Sequence, residues 1–156
     1  MAGHERRLCL AMLSYESKVH VDRSPEAVFP YLLDPQLQTL WSGVPMKQLS
    51  DGPMAPGSRM EVTFGMGPLK ATVGLEISAL EPGRRMAFQS YSGPIRWDGE
   101  YRLQPGAAGG TELSQEGRLV FTGLWRLLEP MAGAEMKRGE IKELEKLKAV
   151  VEDEPA

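Results

Sequence analysis

The feature that most constrains this chain is the stretch 123–151, the only long segment with a helical period. Leu124, Leu127, Leu128, Met131, Ala134, Ile141, Leu144, Leu147 and Val151 recur three and four residues apart and draw one apolar stripe on a helix. Between them Glu135, Lys137, Arg138, Glu140, Lys142, Glu143, Glu145, Lys146 and Lys148 make a solvated opposite face. A proline inside a helix costs ~3 kcal/mol, so Pro130 is expected to open the main helix at its first position, after a short helical turn over 124–129. From 130 to 151 that helix would run ~33 Å. Nearly everything upstream reads as strands and turns, so the stripe has to be buried against a sheet.

The upstream period is two. Residues 15–21 place Tyr15, Ser17, Val19 and Val21 on one face and Glu16, Lys18 and His20 on the other, the pattern of a half-buried strand. Ser24-Pro25 then signals a helix start carrying Val28, Phe29, Tyr31, Leu32 and Leu33, and Asp34-Pro35 ends it and opens a second short helix with Leu37, Leu40 and Trp41. A weak strand over 44–49 follows. After it Met60, Val62 and Phe64 alternate with charged residues, as do Ala71, Val73, Leu75, Ile77 and Ala79, then Met86, Phe88 and Ser90. Trp97, Gly99, Tyr101 and Leu103 share a face in the next strand, and Leu113, Gln115, Gly117, Leu119 and Phe121 in the last. Short turns join the strands, so consecutive ones are expected to pair antiparallel.

Composition excludes several classes of function. At 156 residues the chain fits one domain, and a net charge of −3 with pI near 5.5 and scattered lysines and arginines gives no electrostatic reason to expect nucleic acid or an anionic membrane surface. Cys9 is the only cysteine, which rules out an internal disulfide framework and a cysteine-rich metal site and makes a reducing cytoplasm the default. The apolar run after Arg6-Arg7 is six residues long, shorter than the ~7–15 of a signal peptide, and no stretch approaches the ~18 of a membrane span. Residues 1–14 read as a flexible leader with Met12 as a second possible start, 15–152 as one domain, and 153–156 as an acidic tail. Gly65-Met66-Gly67-Pro68 lacks a P-loop lysine and joins two strands, so it is no phosphate cradle; no cofactor motif and no metal-ligand spacing appears.

The order and spacing of several weak pieces resemble the START-related, or SRPBCC, superfamily of polyketide cyclases, lipid-transfer proteins and pollen allergens. The pieces are 21–29 (VDRSPEAVF), Asp34-Pro35 with Trp41, 80–84 (LEPGR), 101–105 (YRLQP) with Gly110-Thr111, and 128–130 (LEP) with Leu147-Lys148. The resemblance implies an α+β helix-grip fold: a curved antiparallel sheet of about six to seven strands wrapped around a long C-terminal helix, two short helices after the first strand, and a ligand cavity between sheet and helix. It also implies binding of a lipid, polyketide or quinone-like molecule, or cyclase and dehydratase chemistry in the same cavity.

The inward rows then name the expected cavity lining: Phe64, Leu75, Met86, Phe88, Ser90, Trp97, Tyr101, Gln115 and Leu119 from the sheet and Met131 from the helix. Ser90, Gln115, the Tyr101 hydroxyl and the Trp97 indole are the polar members, while Glu61, Glu76, Asp98, Glu100, Glu112 and Glu116 all fall outward. No carboxylate pair is therefore offered for acid–base work inside. Met60, Met86, Met131 and Met136 suit an adaptable pocket or fill core gaps, and Gly99 and Gly117 leave room beside Trp97, Tyr101 and Gln115 or bend the sheet. The expected function is binding or carriage of a hydrophobic or amphipathic small molecule. The alternative is a cyclase or dehydratase with Tyr101 as proton donor and Gln115 orienting a carbonyl; a second alternative is a protein-interaction module with a vestigial pocket. An uncharged cavity should bind neutral ligands with little pH dependence between about 5.5 and 8. The hairpin tip with Met66 and Leu69 reads as an ordinary tight turn or as a gate at the cavity mouth.

Overall fold

The computed structural model describes residues 12–66 and 68–154, with the backbone alone at 12, 66, 128, 132, 133 and 135–142. Seven strands form one antiparallel sheet: β1 (Met12–Val21), β2 (Met46–Gln48), β3 (Arg59–Met66), β4 (Leu69–Glu81), β5 (Arg85–Ser92), β6 (Ile95–Pro105) and β7 (Thr111–Phe121). Their spatial order is β1-β7-β6-β5-β4-β3-β2. Every neighbour in the run β2 to β7 is a sequential hairpin, and β1 returns to the far edge against β7. β1 opens at Met12, three residues ahead of the expected Tyr15, because Leu13 continues the inward parity of Tyr15 and pairs with Leu119. Residues 1–11 of the expected leader, with Cys9 and His4, lie outside the described residues.

Two short helices bridge β1 and β2. Ser24 caps α1 (Pro25–Leu33), its hydroxyl accepting from the Ala27 amide at 3.3 Å. Asp34 ends α1 and caps α2 (Pro35–Ser42), its carboxylate accepting from the Gln36 amide at 2.9 Å. Pro35 disfavours helical backbone at Asp34, which sits extended at φ −83°, ψ 118°, so the two helices meet at a corner and do not fuse. Gly43 closes α2 in the left-handed region at φ 71°. Val28, Leu32 and Trp41 are buried, and the Trp41 indole donates to the Tyr31 carbonyl at 2.8 Å.

The chain ends in a 3-10 helix (Gly123–Leu128) and a 25-residue helix α3 (Glu129–Asp153), which packs on β1, α1 and α2. Pro130 stands in its first turn, as expected. Leu144, Leu147 and Val151 are buried in the core, so the stripe holds over the C-terminal half. It does not hold at its start: Leu124, Leu127 and Met131 are exposed, while the side chains of Leu128, Met136 and Ile141 lie outside the described residues. A second departure is Glu143, read as part of the solvated face. It is half-buried, and desolvation pushes its carboxyl up to about 7 against the pull of the Lys146 ammonium.

Polar contacts tie the end of α3 to the β1–α1 junction. Lys148 donates to the His20 carbonyl at 2.6 Å and to Glu152 at 2.8 Å, and Glu152 accepts the Asp22 amide at 2.8 Å. His20 itself points outward, as its parity requires. Its two ring nitrogens lie 2.5 Å from a Glu112 oxygen and 2.9 Å from an Asp22 oxygen. Both partners are acceptors, so the arrangement favours the doubly protonated ring, and the Glu112 hydrogen bond is the main cause of its raised pKa.

Candidate functional site

Strand pleat puts every second side chain on the inner face of the sheet, and register decides which of them meet. One row across that face runs Ser17–Gln115–Tyr101–Met86 over β1, β7, β6 and β5; the next runs Tyr15–Gly117–Gly99–Phe88–Ile77. A third carries Leu13, Leu119 and Trp97. Of the expected lining, Leu75, Met86, Phe88, Tyr101, Gln115 and Leu119 are buried together on this face, and Phe64, Ser90 and Trp97 are half-buried at its margin. Met131 is not among them; it stands on the surface at the start of α3.

Aromatic rings form the wall. Phe88 and Trp97 meet edge to face at 4.7 Å, Phe64 and Trp97 at 5.5 Å, and Tyr101 links Phe88 at 6.3 Å to Trp41 of α2 at 6.5 Å. The room expected at Gly99 and Gly117 is already taken. A Cβ on Gly99 would lie 2.5 Å from the Phe88 ring, and one on Gly117 would lie 2.3 Å from the Tyr15 hydroxyl oxygen and 2.4 Å from the ring carbon that bears it. Each glycine thus seats an aromatic from the adjoining strand.

The polar atoms lie on four adjoining strands, β1, β7, β6 and β5. The Gln115 amide donates to the Ser17 hydroxyl at 3.0 Å, with Tyr101 directly across in the ladder. The Trp97 indole, expected to be open to a ligand, is engaged at 2.8 Å by the Tyr15 hydroxyl, and the Ser90 hydroxyl accepts the Trp97 amide at 2.9 Å where the β5–β6 ladder ends. Tyr15 and Ser17 were absent from the expected lining, although their parity had already placed them inward.

Strand carboxylates stay outside. Glu100 is held below the usual carboxylate range: its desolvation would raise it, but hydrogen bonds from Arg85 and Arg102 outweigh that. Asp98 pairs with Arg118 at 3.0 Å. An open cleft of about 840 Å³ has Glu16, Glu116, Glu100, Asp98, Arg85 and Arg118 among its walls. Those are outward charges that a hydrophobic molecule would have to strip of water, so the inner face is the candidate site. Among the described residues no group of three His, Cys, Asp or Glu is placed to hold a metal ion, and no helix is long and apolar enough to cross a membrane.

Residues 12–152 match the family described as polyketide cyclase / dehydrase and lipid transport. No curated protein sequence matches the chain. Among solved structures, the protein TTHA0849 of Thermus thermophilus superposes with a TM-score of 0.74 at 17% identity, covering 88% of this chain and 96% of its own. The ZhuI aromatase/cyclase from a Streptomyces species gives 0.73 at 18%, covering 90% and 94%. Ara h 8.0201 gives 0.65 at 15%, covering 90% and 97%. At such identities the likeness is one of fold.

Proposed function

The chain belongs to the polyketide cyclase, dehydrase and lipid-transport family, and on that premise we propose that it binds and carries a hydrophobic or amphipathic small molecule against the inner face of its sheet. The observation that carries this reading is the segregation of polar groups. The inner face is largely apolar and aromatic; Ser17, Gln115, Tyr101 and Tyr15 gather at adjoining positions of β1, β7 and β6, with Ser90 at the margin on β5 and Thr111 at the start of β7. An apolar wall with a few convergent hydrogen-bonding groups suits a largely neutral ligand with a single carbonyl or hydroxyl to be oriented. Carriage in the cytoplasm is part of the same reading.

Native mass spectrometry of the purified protein tests it. A retained uncharged lipid, quinone or polyketide supports carriage. A protein that comes empty and takes up none of these classes when offered them overturns it. One pairing favours a second reading: Tyr101 lies directly across the ladder from Gln115, a phenol beside an amide on an otherwise apolar wall. In a cyclase or dehydratase Tyr101 would give its phenolic proton to a substrate carbonyl oxygen that Gln115 orients. Tyr101→Phe would then abolish turnover of a poly-β-ketone while sparing its affinity, an outcome that carriage alone does not produce.

A further inference from the structure

Antiparallel register brings together at one end of the sheet residues that the sequence scatters. Met12 pairs with Val120, Ile95 with Phe121 and Met66 with Leu69, so the start of β1, the β3–β4 hairpin, the β5–β6 turn and the end of β7 all lie there. The 3-10 helix leaves from the same place. Thr122 anchors it, donating its amide and its hydroxyl to the Pro94 carbonyl at 2.9 and 2.6 Å.

With three residues per turn, that helix stacks Leu124 and Leu127 on one side while Trp125 packs toward the core. The leucines therefore stand 83% and 79% exposed, followed by Met131 at 65%, and Leu69 on the β3–β4 hairpin is 48% exposed. Large exposed aliphatic side chains at one end of the sheet mark a contact surface. The charge around them is mainly positive. Segments 68–72, 91–97 and 119–131 carry Lys70, Arg96 and Arg126 against one carboxylate, Glu129, in a chain whose net charge is −3. All three cations are exposed, and none forms an ion pair among the described residues.

We infer that this end of the sheet docks on an anionic lipid surface, with Leu124, Leu127 and Met131 entering the boundary between headgroups and acyl chains and Lys70, Arg96 and Arg126 lying among the headgroup anions. Apolar side chains set among cations are what such a surface selects. A second copy of the chain is a poor occupant, since a symmetric contact would set the same cations against themselves. The inference stands apart from the ligand: docking needs the exposed rim, and carriage needs the inner face.

Co-sedimentation of the ligand-free protein with vesicles tests it. The protein should pellet with phosphatidylcholine vesicles containing phosphatidylserine, less with phosphatidylcholine alone, and less again as salt is raised. Leu124→Ser with Leu127→Ser should lower partitioning by roughly tenfold or more, and Arg126→Glu should weaken binding to the serine-lipid vesicles only. Both changes are at exposed positions, so the melting temperature should stay that of the parent. Absence of binding by the parent protein, or equal binding by the double variant, overturns the inference. So does a concentration-dependent dimer in sedimentation velocity that the double variant disperses, because the rim is then a self-interface.

Discussion

Replacing Glu143 by glutamine should make the protein more stable at alkaline pH and leave it unchanged at acid pH. The carboxyl is half-buried, and burial raises it from 4.5 to about 7, with Lys146 opposing. Below pH ~4.5 the group is protonated in folded and unfolded chains alike and its ionisation costs nothing. Between ~4.5 and ~7 the unfolded chain releases the proton and the folded one holds it, so stability falls as pH rises; above ~7 the loss is complete. Each tenfold change in the ionisation constant is worth about 1.4 kcal/mol, so the displacement from 4.5 to about 7 withholds roughly 3 kcal/mol at pH ~8. Glutamine has the same shape and no charge to desolvate. Glu143→Gln should therefore raise the melting temperature at pH ~8 by roughly 6–12 °C, at 2–4 °C per kcal/mol for a chain of this size, and by almost nothing at pH ~4.5. Thermal melts followed by circular dichroism at the two pH values decide it. An equal effect at both, or none at pH ~8, would mean that the carboxylate is hydrated and the burial argument is wrong.

Other outcomes follow from the same packing. Leu147→Asp places an unpaired charge in the core and should cost several kcal/mol, enough to abolish a cooperative melt, whereas Glu145→Gln on the exposed side should stay within ~0.5 kcal/mol of the parent. Gly117→Val puts a side chain where the Tyr15 ring lies and should destabilise by about 1–3 kcal/mol in urea unfolding; pairing it with Tyr15→Ala should recover part of the loss. His20 has its pKa raised by Glu112 and Asp22, so its contribution is present below pH ~6.5 and fades as pH rises through the raised value. His20→Gln should accordingly lower the melting temperature near pH ~6 and converge with the parent only once pH has risen past the raised value.

Where a residue's position depends on a local period, the sequence was legible. Alternation placed Tyr101, Gln115, Leu119 and Phe88 inward before any register was known, and the structure buries all four. It had placed Tyr15 and Ser17 there as well, and only their distance from the later strands in sequence kept them off the expected lining. The period misled along the C-terminal helix. A 3-10 turn advances ~120° per residue where an α-helix advances ~100°, so the phase of Leu124 and Leu127 is not that of Leu144 and Leu147. Glu143 was assigned by its charge, yet it lies only ~40° around the helix from Leu147, on the buried flank. The filling of Gly99 and Gly117 was out of reach for a different reason: which ring lies over a glycine depends on pairing across strands far apart in sequence.

The most direct test of the inner-face site is a methyl and aromatic NMR titration with progesterone, a neutral molecule bearing carbonyl groups. Binding at the proposed site predicts saturable shifts at Leu75, Met86, Phe88, Trp97 and Leu119, with Tyr101→Phe weakening binding by a lost hydrogen bond worth ~1–3 kcal/mol and barely affecting pyrene, which has none to make. Shifts confined to Ala87 and the charged cleft around Glu116 and Arg118, with Leu75, Met86 and Leu119 unmoved, would place the ligand on the outside of the sheet and contradict the account.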